Sequence, residues 1–97
     1  MLTDKILNEI RRILFLHITK ENNTAFIFGS WSNGTARKFS DIDLGIESAQ
    51  GVTLGTLGKI REDFENSSLP YSVDIVDFTT VSEKFKNVAK KSLIALN

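Results

Sequence analysis

The sequence predicts a single α/β (α+β) domain, spanning residues 1–97, in which helices pack on a small three-stranded sheet. Apolar residues recur at helical spacing in some segments and at strand spacing in others, in the order α-β-α-β-α-β-α. A length of 97 residues suits one domain. The composition, 41% hydrophobic and 25% charged with no net charge, is typical of a chain that folds.

The first two elements are an amphipathic helix and a buried strand. Thr3 is placed to cap a helix that continues to about Lys20. Its apolar face consists of Ile6, Leu7, Ile10, Ile13, Leu14 and Ile18. The apolar run Thr24–Phe28, stopped by Gly29, predicts a short buried strand, and a turn or short helix follows it.

The second strand begins at Asp41 and is half-buried. One face of it is apolar and the other carries Asp41, Asp43, Gly45 and Glu47. After a loop over residues 48–52, Thr53 caps a helix with an inward face of Leu54, Leu57, Ile60 and Phe64. This helical connection lets the second and third strands run parallel, whereas the direction of the first two strands relative to each other stays open.

The third strand and the last helix complete the domain. Tyr71–Phe78 predicts the strand, after a stop at residues 66–70. Thr80–Glu83 matches a capping box, with Thr80 as the cap. The helix that it starts has one apolar side made of Val81, Phe85, Val88, Ala89 and Leu96.

Composition excludes several classes of function. There is no cysteine and only one histidine, His17, so cysteine–histidine metal sites and histidine-based catalytic triads are not expected. His17 is expected to be a surface or interface residue. No apolar run is long enough to cross a membrane and the N-terminus does not resemble a secretory signal, so we expect a cytoplasmic protein. A net charge of zero argues against direct nucleic-acid binding.

The neutral total hides an uneven distribution of charge. Residues 41–77 contain eight acidic and two basic side chains, a net charge of −6, and the segment on either side of them carries +3. Such a pattern fits a salt-bridged solvated surface as well as it fits a cation site. The positions of the acidic residues must decide between the two.

A glycine and a serine at the end of the first strand predict a phosphate site. Gly29 has no side chain, so an anion can approach its backbone closely. Ser30 follows with a hydroxyl and the free amide groups of a turn or helix start, which suit an anion.

Three aspartates predict a metal site. Asp41 and Asp43 lie two apart on a strand, with Cα atoms about 6.5–7 Å apart on one face. Carboxylates held about 5 Å apart repel by roughly 3 kcal/mol, which a hard cation such as Mg²⁺ offsets. Asp74 joins them if the third strand lies next to the second, and three such carboxylates can hold the two metals of nucleotidyl transfer.

Each motif also has a plain structural interpretation. An Asp-x-Asp pair is often solvated, a Gly-Ser pair is usually a turn, and Asp74 by itself would be a strand-edge residue. Their occurrence together, at one spacing and between strands, favours a functional site.

The pattern Gly29-Ser30, ten residues, Asp41-Ile42-Asp43, followed by Asp74, resembles the nucleotidyltransferase superfamily related to DNA polymerase beta. More narrowly it resembles the minimal nucleotidyltransferases (MNT) of bacteria and archaea, over nearly the whole chain. The resemblance implies the nucleotidyltransferase fold, with a mixed sheet. It also implies that Gly29 and Ser30 bind the β- and γ-phosphates of ATP, and that Asp41 and Asp43 bind the nucleotide through two Mg²⁺ ions. Asp74 would ligate the catalytic metal and help to deprotonate the attacking hydroxyl.

The same resemblance implies a partner protein. MNT proteins commonly pair with HEPN-domain proteins in toxin–antitoxin modules, where they transfer AMP to a tyrosine of the toxin or bind it. We therefore expect a protein adenylyltransferase acting as the antitoxin of a type VII-like module, within a homo- or hetero-oligomer. Two alternatives are a non-catalytic antitoxin that masks its partner and the catalytic subunit of a two-component transferase for a small molecule. Because the chain ends about twenty residues after the third strand, we expect a protein to present the acceptor.

The loop after Ser30 departs from the family pattern. Relatives often carry arginine where this chain has Trp31 and Asn33. Arg37 and Lys38 either replace those cations at the phosphates or are solvated. Trp31 either stacks on a base or covers the core. Four lysines near the C-terminus are expected to form a solvated helix face: Lys84, Lys86, Lys90 and Lys91.

Overall fold

The structure is a computed structural model that describes residues 1–97. Its elements follow the predicted order and add one strand at the C-terminal end. They are α1 (Asp4–Leu14), β1 (Asn23–Phe28), α2 (Ser30–Asn33), β2 (Ile42–Ser48), α3 (Leu54–Glu65), β3 (Val73–Asp77), α4 (Glu83–Ala89) and β4 (Ile94–Ala95). None of these helices is long and apolar enough to span a lipid bilayer.

The sheet has four strands in the order β3-β2-β1-β4, so the prediction of three strands was wrong. The predicted parallel pairing of β2 with β3 is confirmed. The pairing that the sequence left open, β1 with β2, is antiparallel, and β4 also pairs antiparallel with β1. The sheet is therefore mixed, with β1 and β2 at its centre.

Helix α1 begins as predicted but ends earlier. The Thr3 hydroxyl accepts a hydrogen bond from the Ile6 amide, and the buried face consists of Leu7, Ile10, Ile13 and Leu14. The helix ends at Leu14 instead of continuing to about Lys20. The amide of His17 donates to the Leu14 carbonyl, a tighter turn than an α-helix has, which redirects the chain towards β1.

Helix α3 connects β2 to β3 and packs on the same side of the sheet as α1. The Thr53 hydroxyl caps it by accepting from the Thr56 amide, as predicted. Leu57, Ile60 and Phe64 are buried, but Leu54 is 84% exposed, so its inward placement was wrong. Leu54 is the first residue of the helix, one turn before the core begins at Leu57.

The two faces of the sheet are covered differently. Alternate residues of β1 and β2 point to the side of α1 and α3 and build the main core, among them Ile27, Ile42, Leu44 and Ile46. The opposite face carries a small aromatic cluster of Phe26, Phe28 and Phe78, whose rings pack edge to face at 4.8–6.3 Å between centroids. This second face is covered by the short helix α4.

Helix α4 differs from its prediction at both ends. Ser82, not Thr80, is the cap, because its hydroxyl accepts from the Phe85 amide. The helix ends at Ala89, and Ile94 and Ala95 instead form β4 beside Ile27 and Phe26. Leu96 is thus buried by a strand and not by the helix.

The predicted apolar face of α4 is also only partly buried. Phe85 is 42% exposed although its ring reaches Phe28 and Phe78, and Val88 is 61% exposed. With only seven residues, α4 is too short to bury its whole apolar side against the small aromatic cluster.

We predict that Gly45→Ala destabilises the domain. A Cβ at Gly45 would lie 2.7 Å from Phe26 Cζ and 2.8 Å from Phe78 Cε1, inside the aromatic cluster. Overpacking of this kind costs about 1–3 kcal/mol of unfolding free energy, measurable by denaturant titration. Gly58→Ala is the matched control: a Cβ there meets nothing within 4 Å, and the helix should gain up to about 1 kcal/mol. Equal effects of the two substitutions would contradict the prediction.

Candidate active site

Gly29 links the end of β1 to α2 and lies directly beside Asp43. Its backbone has φ 74° and ψ −147°, a conformation that residues with a side chain rarely adopt. A Cβ at this position would collide with Asp43 Oδ2. Glycine is therefore required both by the backbone conformation and by the close approach of the carboxylate.

Ser30 is the first residue of the short helix α2, as the sequence predicted. The Ser30 carbonyl accepts hydrogen bonds from the amides of Thr35 and Ala36, which closes the loop behind it. Gly34 ends the helix in the left-handed conformation, with φ 83°. The amides of Ser32 and Asn33 donate to the Gly29 carbonyl, which leaves the amides of Ser30 and Trp31 as the donors that the helix start offers next to Asp43.

The sheet places two of the three predicted carboxylates side by side, and the third lies just before the same strand. Asp43 lies opposite Phe28 in β1 and opposite Asp74 in β3. Residues directly opposite one another in neighbouring strands share a face, so Asp43 and Asp74 lie on the face of the small aromatic cluster. Asp41 is exposed and precedes β2 by one residue.

These three carboxylates have no partner within the chain. None of the ion pairs and none of the side-chain hydrogen bonds involves Asp41, Asp43 or Asp74. Asp77, three residues after Asp74, is different, because its carboxylate accepts from the amides of Val52 and Thr79. Unpaired carboxylates side by side are the donor set that a hard divalent cation takes.

Asp43 is the aspartate of the three whose pKa is shifted. Burial raises the pKa of the Asp43 carboxyl, and the negative charges of Asp74 and then Asp41 raise it further. Burial comes from its place between Phe28 and β3, close to Gly29. The Asp-x-Asp pattern does not predict that Phe28 lies at the site. The signal for Phe28 is its position directly before Gly29.

The site is open and is not a preformed metal cage. As the side chains stand, no group of three or more acidic, histidine or cysteine residues is arranged to hold a metal ion. None of the three main clefts of the surface is lined by the three aspartates. Their convergence on two Mg²⁺ ions, and the binding of phosphates at Gly29 and Ser30, stay predictions.

Trp31 covers the core. Its ring packs against the main core and meets Tyr71 edge to face, with 5.1 Å between centroids. Its indole Nε1 donates to the Ser40 carbonyl at 2.9 Å. Asn33 is occupied within the loop, where its side-chain oxygen accepts from both the amide and the hydroxyl of Thr35.

Several charged residues have partners that the sequence did not predict. His17 Nε2 lies 2.6 Å from Asp63 Oδ2. Two of the C-terminal lysines are not simply solvated: Lys90 and Lys86 pair with Glu47, at 2.8 Å and 3.5 Å. All three contacts join residues more than thirty positions apart, so no local pattern predicts them.

Nearly the whole chain matches one known protein family. Residues 8–96 match the family described as polymerase beta, nucleotidyltransferase. The chain belongs to this family. The match covers almost the whole chain and confirms the family that the motifs resemble.

One curated relative of the nucleotidyltransferase domain is the probable protein adenylyltransferase MntA of Haemophilus influenzae. The two are 36% identical over 73 residues, which is 75% of this chain and 64% of the relative. The matched region thus spans less than two thirds of the relative's length.

Solved structures of toxin–antitoxin complexes have the same fold. The nucleotidyltransferase domain superposes on a chain of a toxin–antitoxin complex with AMP-PNP with a TM-score of 0.76 and 26% identity, covering 94% of this chain and 72% of the other. A chain of the tri-AMPylated Shewanella oneidensis HEPN toxin in complex with MNT antitoxin gives a TM-score of 0.69 at 23% identity, covering 94% and 68%. The latter likeness concerns the fold alone.

We predict that Gly29→Ala damages the site more than the fold. The substitution strains the backbone and pushes Asp43 aside, whereas Gly34→Ala strains a positive-φ glycine with nothing within 4 Å of the new Cβ. Each change should cost about 1–3 kcal/mol of unfolding free energy. Calorimetric titration should show Mg²⁺-ATP binding weakened in Gly29→Ala and retained in Gly34→Ala. Similar binding by the two variants would contradict this role of Gly29.

The raised pKa of Asp43 predicts a pH-dependent stability. A carboxyl whose folded pKa exceeds its unfolded pKa binds protons more readily in the folded state, so the unfolding free energy falls as pH rises through that window. Asp43→Asn should therefore stabilise the metal-free domain at neutral pH, and the gain should vanish as pH falls below about 4. Thermal unfolding in chelator at several pH values measures this, and a gain that persists at low pH would disprove the cause.

Proposed function

We propose that the chain is a Mg²⁺-dependent nucleotidyltransferase that transfers AMP from ATP to a tyrosine hydroxyl of a HEPN-domain partner. It would thereby act as the antitoxin of a type VII-like toxin–antitoxin module, in the cytoplasm, where ATP and Mg²⁺ are present. The observation that carries the proposal is the row of partnerless carboxylates on neighbouring strands beside Gly29 and Ser30.

Different residues of the site would bind the metal, orient the phosphates and accept the proton. Asp41, Asp43 and Asp74 would hold Mg²⁺, which when bound supplies positive charge against the phosphates. The amides after Gly29 would orient the β- and γ-phosphates, so that the α-phosphorus faces Asp74. The acceptor oxygen would bond to this phosphorus as the bond to the β-phosphate oxygen breaks. Pyrophosphate leaves, and the acceptor proton passes to Asp74.

The open surface of the site supports a protein acceptor. Phosphoryl transfer benefits from exclusion of water around the reacting groups. The three aspartates lie outside the main clefts of the domain, so another surface has to cover them during the reaction. Two similar proteins support a partner of this kind, since one is a probable protein adenylyltransferase and the other is a chain of a toxin–antitoxin complex.

The proposal is tested by transfer of AMP to a HEPN-domain partner protein. With ATP and Mg²⁺, the mass of the partner should increase by one or more AMP groups, and chelation of Mg²⁺ should abolish the increase. Asp41→Asn with Asp43→Asn should lower the rate by more than about 100-fold, because the charge that offsets the phosphates is no longer held. The control is Glu62→Gln with Glu65→Gln, which removes two exposed charges from α3.

One observation favours a second function, a masking antitoxin without catalysis. Asn33 is bound to Thr35, so it brings neither a positive charge nor a free side chain to the phosphate loop. In that case the double aspartate variant would still neutralise the partner in cells and no AMP would appear on it. Loss of neutralisation together with loss of AMP transfer would exclude masking as the sole mechanism.

A further inference from the structure

The segment between Ser30 and Asp41 folds into a tight turn that presents an aromatic ring. The Ser40 amide donates to the Arg37 carbonyl at 3.0 Å, and the Arg37 amide donates to the Ser40 hydroxyl at 2.8 Å. Phe39 lies at the tip of this turn and is 81% exposed. It belongs to neither of the two apolar clusters of the fold.

The turn is anchored to the core at both ends. The Ser40 carbonyl accepts from the indole of Trp31, which packs on the main core, and the Ala36 amide donates to the Ser30 carbonyl. These bonds hold the backbone while the Phe39 side chain stays outside. A single exposed apolar side chain needs no explanation, but one held on an anchored turn between both halves of a site is preorganised for contact.

The charges around Phe39 indicate what it contacts. Arg37 and Lys38 are exposed, belong to none of the ion pairs, and are the only basic residues between Gly29 and Asp43. Lys38 Nζ lies 5.4 Å from the centre of the Phe39 ring. An aromatic face next to two free cations fits a ligand that joins a planar ring to phosphates, which is a nucleotide.

The distances along the chain allow one ligand to reach all of these groups. Only Ser40 separates Phe39 from Asp41, and two steps along the chain span at most about 7 Å. The other end of the loop is bonded to Ser30 through Ala36. A nucleotide with its phosphates between Ser30 and Asp41 therefore has its base within reach of the Phe39 ring.

We propose that the Arg37–Ser40 turn is the nucleoside-binding part of the site, in which Phe39 stacks on the base while Arg37 and Lys38 contact the phosphates. This inference rests on the proposed nucleotide binding and goes beyond it. It assigns recognition of the base to this turn, whereas the Gly-Ser and Asp-x-Asp motifs do not indicate where the base binds.

The test compares two ligands that share phosphates but differ in the base. ATP and inorganic tripolyphosphate are titrated against the full chain in Mg²⁺ by calorimetry. Phe39→Ala should weaken ATP binding by roughly 5- to 100-fold, the usual effect of losing one base–aromatic stack, and should change tripolyphosphate binding by less than about twofold. Arg37→Gln with Lys38→Gln should weaken both ligands alike. Phe39→Trp should retain ATP binding.

The control and the opposing outcomes separate this inference from the proposed function. Leu54→Ala removes an equally exposed apolar side chain from α3 and should leave both affinities unchanged. Unchanged ATP affinity in Phe39→Ala overturns the inference and leaves the proposed function intact. An equal loss for ATP and tripolyphosphate also overturns it. If the unmodified chain binds neither ligand, nucleotide binding fails, and both proposals fail with it.

Discussion

The site depends on the register of β2 against its two neighbours. One pairing places Asp43 opposite Phe28, at the end of β1, and the other places it opposite Asp74 in β3. Because the side-chain period of a strand is two, a slip of one residue in either pairing would turn Asp43 or its neighbour to the other face. The apolar side of the sheet prevents that slip, since Ile42, Leu44 and Ile46 are fully buried against α1 and α3.

This strand register places Asp43 where its charged form is disfavoured. It is half-buried beside an aromatic ring and two like charges, and its pKa is raised for that reason. Elsewhere in the chain the acidic side chains that approach the core have partners, as Asp77 has two amides and Glu47 has two lysines. The site is thus the one place on the sheet where negative charge is gathered without compensation, and functional sites are where such conflicts are expected.

Much of the fold and the site could be predicted, and the errors have a common cause. Caps such as Thr3 and Thr53 and the alternation from Ile42 to Ile46 are local signals, and they were confirmed. The prediction of three strands was wrong because β4 has two residues, too few to show a period, and forms only when α4 returns the chain to β1. The contact of His17, in the turn after α1, with Asp63 of α3 joins positions 46 apart in sequence, so no local signal predicts it either.

The sequence by itself determined the family and most of the elements, and it supplied the candidate residues of the site. It could do so because the spacing of Gly29-Ser30 and Asp41-x-Asp43 and the strand around Asp74 are properties of short segments. Only the tertiary structure decided what surrounds them. Strand pairing placed Asp74 beside Asp43 and left the carboxylates without partners. Core packing directed Trp31 inward and Phe39 outward from the same loop. Burial and pairing depend on residues distant in the chain, so no local pattern contains them.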